Sequence, residues 1–122
     1  MRIWQVILLL GYTAGIALGQ LLFKQAAVTL REGNSTAPFL WTAITNLPLV
    51  AAVLLYAALT ALWVYILSIT DLSKAYPFHA LTMVMTPLLA SHFFGEKLNG
   101  SFYLGLAAIL IGIFVIAWGA EA

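Results

Sequence analysis

The sequence predicts an all-α membrane protein with four transmembrane helices, and two observations lead to this prediction. Hydrophobic residues make up 64% of the 122-residue chain and charged residues 7%, whereas an ordinary soluble domain has about 25% charged residues. A soluble domain of this size needs a polar surface, so this composition indicates a lipid environment. The charged residues also lie between or at the ends of four long apolar runs, as expected where burying a charge in hydrocarbon is costly.

The four predicted spans cover residues 3–23, 47–70, 75–94 and 102–118, within a single domain of residues 1–122. A bilayer core about 30 Å thick is crossed by roughly 20 helical residues. We expect the first run to remain in the protein rather than be removed as a signal peptide. It is long for that role, its basic end is Arg2 alone, and further apolar runs follow it.

The connections between the spans differ in length. Residues 71–74 and 95–101 are short, which predicts tight helical hairpins with Ser73 and Asn99 as caps of the following helices. The first connection, residues 24–46, is long. Turn-forming residues 33–38 interrupt it, and the apolar residues 39–44 are expected to form a short interfacial helix.

The lysine and arginine residues give only a weak indication of membrane orientation. Arg2 and Lys74 fall on one side of the predicted bundle, and Lys24, Arg31 and Lys97 on the other. Orientation follows the excess of these residues on the cytoplasmic side, and two against three is a small excess. The absolute topology stays open, including insertion in both orientations.

Small residues line one face of two spans, where they allow close helix packing. They are Gly11, Gly15 and Gly19 on the first span and Gly105, Ala108 and Gly112 on the fourth. Packing within one subunit accounts for one such stripe, and the second predicts contact with another subunit. Pro87 lies inside the third predicted span, where the missing amide hydrogen predicts a kink or hinge.

Few polar side chains lie within the spans. Gln20 and Lys24 are one turn apart on the first span, where they are either an anion-binding pair or a lysine that extends to the headgroups. His79, Thr82 and Thr86 share a face of the third span. The histidine is either a neutral group hydrogen-bonded to a neighbouring helix or a ligand or proton site.

Several classes of function are excluded or disfavoured by the residues present. The chain has no cysteine, and its net charge is +1 with five Lys and Arg in total, too few for a basic face that binds nucleic acid. No nucleophile with a nearby base, metal-ligand cluster or phosphate-binding loop stands out. We therefore expect neither an enzyme nor a bound metal or cofactor.

Residues 75–117 carry a resemblance to a known group of membrane proteins. Ala-Tyr-Pro at 75–77, Phe-Phe-Gly-Glu-Lys-Leu at 93–98 and the glycine pair at 105 and 112 occur in this order. Together they resemble the last two helices of the drug/metabolite transporter superfamily, which includes EamA-like and small multidrug resistance proteins. The segment GQLLFKQAA at 19–27 is similar to the small flippase subunits that move aminoarabinose linked to undecaprenyl phosphate.

Two branches of this superfamily have the four-helix size of this chain. Small multidrug resistance proteins exchange cations for protons at a glutamate in the first helix, and alignment on Lys24 puts that position at Ile16. The lipid-linked sugar branch lacks this glutamate. It resembles this chain at five positions, which are Gln20, Lys24, Tyr76, Pro77 and Glu96. The resemblance therefore favours the lipid-linked sugar branch.

The resemblance implies a subunit of a flippase for a polyprenyl-phosphate-linked sugar in the bacterial inner membrane. It also implies a homodimer or heterodimer with a similar four-helix subunit. Gln20 and Lys24 would bind the phosphate, and Lys97 or Lys74 would receive it at a mouth of the path. The residues expected to hydrogen-bond the sugar are Tyr76, His79, Thr82 and Thr86. Two alternatives remain, a proton-coupled exporter that titrates His79 and a purely structural or assembly subunit.

Overall fold

The computed structural model describes residues 2–32 and 38–121, and this part of the chain is helical with no strand. The all-α prediction is confirmed for these residues. The six helices are α1 (Ile3–Glu32), α2 (Phe39–Thr45), α3 (Leu47–Ile69), α4 (Leu72–His79), α5 (Thr82–Phe94) and α6 (Gly100–Glu121).

Three of these helices are long and apolar enough to cross a membrane by themselves. They are the segments Ile3–Arg31 of α1, Leu47–Ile69 of α3 and Gly100–Gly119 of α6. The chain is therefore a multi-pass membrane protein. Helices α1, α3 and α6 contain the predicted spans 3–23, 47–70 and 102–118, in that order. The one difference is that α3 ends at Ile69, one residue before the predicted end of the second span.

The remaining predicted span, residues 75–94, contains two helices rather than one continuous helix, and its crossing of the membrane stays a prediction. Helix α4 ends at His79 and α5 begins at Thr82. Across the break, amides bond to carbonyls three residues earlier, from Leu81 to Phe78 at 3.0 Å and from Met83 to Ala80 at 2.9 Å. This is the tighter 3₁₀ spacing. Pro77 lies just before the break and removes a hydrogen bond from the second half of α4.

Pro87, the predicted hinge, lies inside α5, which runs through it from Thr82 to Phe94. The helix is interrupted earlier, at residues 80–81. Thr82 stabilises the end of α4 there, because its hydroxyl donates to the carbonyl of His79 at 2.9 Å. The hinge at Pro87 stays a prediction.

Two other helix ends differ from the predictions. Helix α1 continues past residue 23 to Glu32, because residues 24–27 are good helix formers although they are less apolar than the span. Ser73 lies inside α4 rather than capping it, since the helix begins at Leu72 after Asp71. The predicted cap at Asn99 is confirmed, as its side-chain oxygen accepts from the Phe102 amide at 2.8 Å.

The long first connection follows the prediction where the structure describes it. Residues 39–45 form the expected short helix, α2. Residues 33–37 of the predicted break lie outside the described residues.

Helix α1 packs mainly against α3, and two glycines allow the close approach. A Cβ atom on Gly15 would lie 2.9 Å from a methyl group of Leu59, and one on Gly19 would lie 2.5 Å from the ring of Tyr56. A Cβ on Gly11 would meet nothing within 4 Å. The first small-residue stripe thus contacts α3 over two of its three glycines.

Polar side chains join α1 and α3 at both ends. The side-chain amide of Gln5 donates to the carbonyl of Ile69 at 3.0 Å. At the other end, Asn46 accepts from the Leu49 amide at 3.0 Å as the cap of α3, and its amide donates to the Thr29 hydroxyl at 2.9 Å. These bonds fix α1 and α3 as an antiparallel pair, with the buried core between them.

Helix α6 lies at the outside of the bundle. It contacts α4 and α5, and Leu106 is the buried side chain among its described residues. The second small-residue stripe is open, since a Cβ on Gly105 or Gly112 would meet nothing within 4 Å and Ala108 is exposed.

Candidate substrate site

Helix α1 carries three polar or aromatic side chains that each contact a different part of the bundle. Tyr12 faces an aromatic cluster, Gln20 meets α3, and Lys24 meets the turn after α5. At about 1.5 Å per residue, Gln20 lies about 12 Å and Lys24 about 18 Å from Tyr12 along the helix. Together they cover about 18 Å along α1, which is more than half of the thickness of a bilayer core.

The aromatic cluster consists of Tyr12 from α1, Trp63 from α3, and Tyr76 and His79 from α4. Tyr12 stacks on Trp63 with ring centroids 4.9 Å apart, and Tyr76 stacks on His79 at 5.4 Å. The His79 ring also lies 5.5 Å from both Tyr12 and Trp63. The cluster extends from the core to the surface, because Tyr12 is 4% exposed and Tyr76 is 58% exposed.

His79 has a polar atom with no protein partner. Its Nδ1 is buried and makes no hydrogen bond to any residue that the structure describes. A buried polar atom without a partner is costly. It therefore fits a site that a hydroxyl or another polar group of a ligand enters.

Gln20 is held by Tyr56 of α3. Its side-chain amide donates to the Tyr56 hydroxyl at 2.7 Å, and that hydroxyl donates to the carbonyl of Ile16 at 3.4 Å. Gly19 provides the room for the Tyr56 ring against α1. Gln20 remains exposed, so its carbonyl oxygen and second amide hydrogen are accessible to a ligand.

Lys24 forms an ion pair with Glu96, which lies in the turn between α5 and α6. The lysine Nζ and a carboxylate oxygen of Glu96 are 3.7 Å apart, and the two side chains are 46% and 48% exposed. Gly95, in the left-handed conformation with φ 67°, ends α5 and turns the chain toward this position. The pair joins the end of α5 to α1.

The other predicted site residues are dispersed. Thr82 and Thr86 are partly buried on α5, and the Thr82 hydroxyl is already bonded to the end of α4. Lys97 is exposed next to Glu96. Lys74 is partly buried near the other end of the bundle, 3.9 Å from Asp71. The structure thus brings together Tyr76 and His79, whereas Gln20 and Lys24 lie one turn apart on α1 and contact different partners.

Sequence reasoning did not identify four contributors to the site. Tyr12, Trp63 and Tyr56 are aromatic residues in apolar runs, and Glu96 was named only among the positions that resemble the lipid-linked sugar branch, without a role in the site. Their roles depend on contacts between helices far apart in sequence. One available signal was the four-residue spacing of Tyr12, Ile16, Gln20 and Lys24, which lie on a slowly winding stripe of α1.

The comparison with known proteins identifies the family. The EamA-like transporter family matches residues 1–118, which is nearly the whole chain. The chain belongs to the EamA-like transporter family. Curated relatives cover most of its length. One from Yersinia pestis (strain Pestoides F) is 34% identical over 115 residues, which are 92% of this chain and 95% of that protein.

A second relative comes from Hamiltonella defensa and is 29% identical over 101 residues, 83% of this chain and 85% of that protein. Both relatives are named "Probable 4-amino-4-deoxy-L-arabinose-phosphoundecaprenol flippase subunit ArnE". These names describe subunits of a flippase. No solved structure has significant similarity to the chain.

Proposed function

We propose that this EamA-like protein is a subunit of a flippase that moves a polyprenyl-phosphate-linked sugar across the bacterial inner membrane. The observation that carries the proposal is the arrangement along α1. The amide of Gln20 and the cation of Lys24 lie about 12 Å and 18 Å along the helix from Tyr12, which belongs to an aromatic cluster that contains a buried nitrogen without a partner among the described residues. The names of the two relatives support the same substrate class.

The arrangement matches the chemistry of a lipid-linked sugar. Its phosphate is an anion, for which Lys24 supplies a charge-assisted contact and Gln20 a neutral donor. Its sugar has apolar C–H faces that pack on aromatic rings, and hydroxyl groups that can bond to His79 Nδ1. The lipid chain stays in the membrane while the polar part follows the protein.

The proposed flippase needs helices α4 and α5 as a further crossing. Together with the turn they cover residues 72–94, which would extend about 34 Å as helix, enough for the hydrocarbon core. The 3₁₀ bonds at the break keep its backbone groups satisfied, as the membrane interior requires. The count of four crossings rests on this pair.

The proposed flippase is also a dimer. Four helices are too few to surround a sugar and a phosphate, and the open stripe of Gly105, Ala108 and Gly112 on α6 provides a surface for close contact with another helix. The partner is either a second copy or a similar four-helix subunit. Transport would then come from rocking of one helix set against another.

A cation exporter of the small multidrug resistance type is less well supported. The position of its glutamate is Ile16 in this chain, and Ile16 is 7% exposed in the core against α3. A hydrophobic core residue there offers no counter-ion for a cationic drug.

The first prediction tests the flippase in vesicles that contain the full chain, with its partner subunit where one is required. The sugar named for the relatives carries an amino group, so an impermeant amine reagent reports which leaflet it occupies. We expect the sugar amine to change sides, and Lys24→Gln to slow this about tenfold, the effect of losing one contact to a charged group.

The matched control is Arg31→Gln, which removes another exposed cation from α1 and should leave the rate unchanged. Equal rates in both variants would contradict the role of Lys24. No change of sides with any partner would contradict the flippase. Proton movement on addition of a cation, lost in His79→Ala, would support the exporter instead.

A further inference from the structure

An apolar groove lies beside the phosphate-binding end of the proposed path. Its volume is about 580 Å³, and it lies between α1, α3 and the end of α5. Six apolar side chains line it, Leu18, Leu21 and Leu22 from α1, Leu55 from α3, and Phe93 and Phe94 from α5. Gln25 is the polar residue of the lining.

The groove has one apolar end and one polar end. Leu18 and Gln25 lie about 10 Å apart along α1. At the polar end Lys24 precedes Gln25 in the chain, and its ion-pair partner Glu96 follows Phe94 by two residues. The wall of the groove and the ion pair are thus formed by the same two segments.

We propose that this groove binds the isoprene units nearest the phosphate of a polyprenyl phosphate, and that the phosphate displaces Glu96 from Lys24. The identity of the lipid rests on the proposed function. The positive charge of Lys24 at the rim of the groove fits an anionic headgroup. One groove lies beside Lys24, which fits a lipid with one chain, whereas a glycerophospholipid has two.

Glu96 has a specific role in this proposal. Exposed ion pairs are weak, and both partners here are nearly half exposed, so an incoming phosphate readily replaces the carboxylate. In the empty protein Glu96 neutralises Lys24 and adds one exposed contact to the packing of α5 against α1. When the phosphate takes Lys24, this contact is lost, which couples substrate binding to a change in the contacts at the end of α5.

The groove is tested by equilibrium binding of radiolabelled undecaprenyl phosphate to the purified full chain in detergent. Leu18→Trp fills the groove from an exposed position, and Leu10→Trp changes an exposed leucine on α1 that does not line it. We expect Leu18→Trp to weaken binding about tenfold, as for lost burial of two or more methylene groups, and Leu10→Trp to leave it unchanged. Equal binding by both variants would overturn the groove assignment.

The displacement of Glu96 is tested with the same lipid and with undecaprenol, which lacks the phosphate. We expect Glu96→Gln to tighten binding of undecaprenyl phosphate about twofold to fivefold, the range for loss of a competing exposed ion pair, and to leave undecaprenol unaffected. In Lys24→Gln the two lipids should bind alike. Weaker binding of the phosphate by Glu96→Gln would overturn the proposed displacement.

Competition with phosphatidylglycerol tests whether the groove prefers a lipid with a single chain. Equal competition by phosphatidylglycerol would make the groove a general phospholipid site and would overturn the proposal.

The experiments distinguish a wrong groove assignment from a wrong proposed function. If Leu18→Trp alters neither binding nor flipping while the unmodified chain flips, the groove is wrong and the flippase stands. If the binding pattern holds without flipping in vesicles, the function is wrong and the groove stands.

Discussion

Gly19 and Tyr56 illustrate how single residues position the site. The ring of Tyr56 occupies the space that a side chain at residue 19 would need, and its hydroxyl then holds Gln20 at 2.7 Å. A glycine that was predicted to bring helices together thereby also orients a polar group of the candidate site.

The second prediction concerns this glycine. Gly19→Ala puts a Cβ 2.5 Å from the Tyr56 ring, so the ring must move away and the bond to Gln20 is lost. We expect a lower free energy of unfolding by about 1–3 kcal/mol, as for overpacked sites, measured by unfolding in detergent micelles. Gly11→Ala has open space and should be neutral or slightly stabilising. Equal stability of the two variants would contradict the contact.

The third prediction concerns Trp63, which contacts three other rings of the cluster. An aromatic pair contributes about 0.5–1.5 kcal/mol, so Trp63→Leu should slow flipping by about threefold to tenfold. Trp118→Leu is the control, because Trp118 is 81% exposed. The vesicle assay with the amine reagent measures both. A normal flipping rate in Trp63→Leu would contradict a role of the aromatic cluster in transport.

Parts of the site were predictable from individual residues and parts were not. Gln20, Lys24 and His79 stand out because polar groups are rare and costly in apolar runs. Tyr12 and Trp63 do not, since aromatic residues are common in such runs and only contact between three helices gives them a shared role. The partner of Lys24 was equally hidden, because Glu96 lies 72 positions later in the chain.

At the scale of elements, composition predicted where long helices lie but not how they end or break. The lengths of α3 and α6 follow directly from their apolar runs. Helix α1 extends beyond its apolar run to Glu32, because the residues that follow the run have high helix propensity although they are less hydrophobic. The break at residues 80–81 was not predicted. The kink was predicted at Pro87 rather than after Pro77, and a 3₁₀ turn has no strong local signal in the sequence.

The fourth prediction tests whether α4 and α5 together cross the membrane. The chain has no cysteine, so Ser73→Cys and Asn99→Cys can be combined without background labelling. These residues lie near the start of α4 and after the end of α5. With an impermeant thiol reagent on intact cells, a crossing pair should give one label per molecule in every orientation. Intact-protein mass spectrometry reads the count, and molecules with none or two labels would contradict the crossing.

At the scale of the whole molecule, α6 is less well covered than the other long helices. The share of its apolar segment that is buried is 6%, compared with 33% for α1 and 17% for α3. Lipid covers some of this surface. The open stripe of small residues, however, is the kind of surface at which helices pack closely in membranes.

The fifth prediction tests this stripe as the contact of the proposed dimer. Ala108→Leu adds bulk on the stripe, and Ala107→Leu adds the same bulk about 100° around the helix, where Ala107 is also exposed. We expect Ala108→Leu to reduce the dimer fraction at least about fivefold, the effect of about 1 kcal/mol of lost packing, and Ala107→Leu to leave it intact. Cross-linking in membranes measures the fraction. The opposite ranking would place the contact elsewhere on α6.

The turn at residues 80–81 divides the polar groups between two helices. Tyr76 and His79 move with α4, whereas Glu96 follows the end of α5. The contacts proposed for a sugar and the contact proposed for a phosphate are therefore carried by two different helices. If α4 and α5 together form the proposed crossing, one segment of chain offers a lipid-linked sugar two separate places of contact, one on each side of the turn.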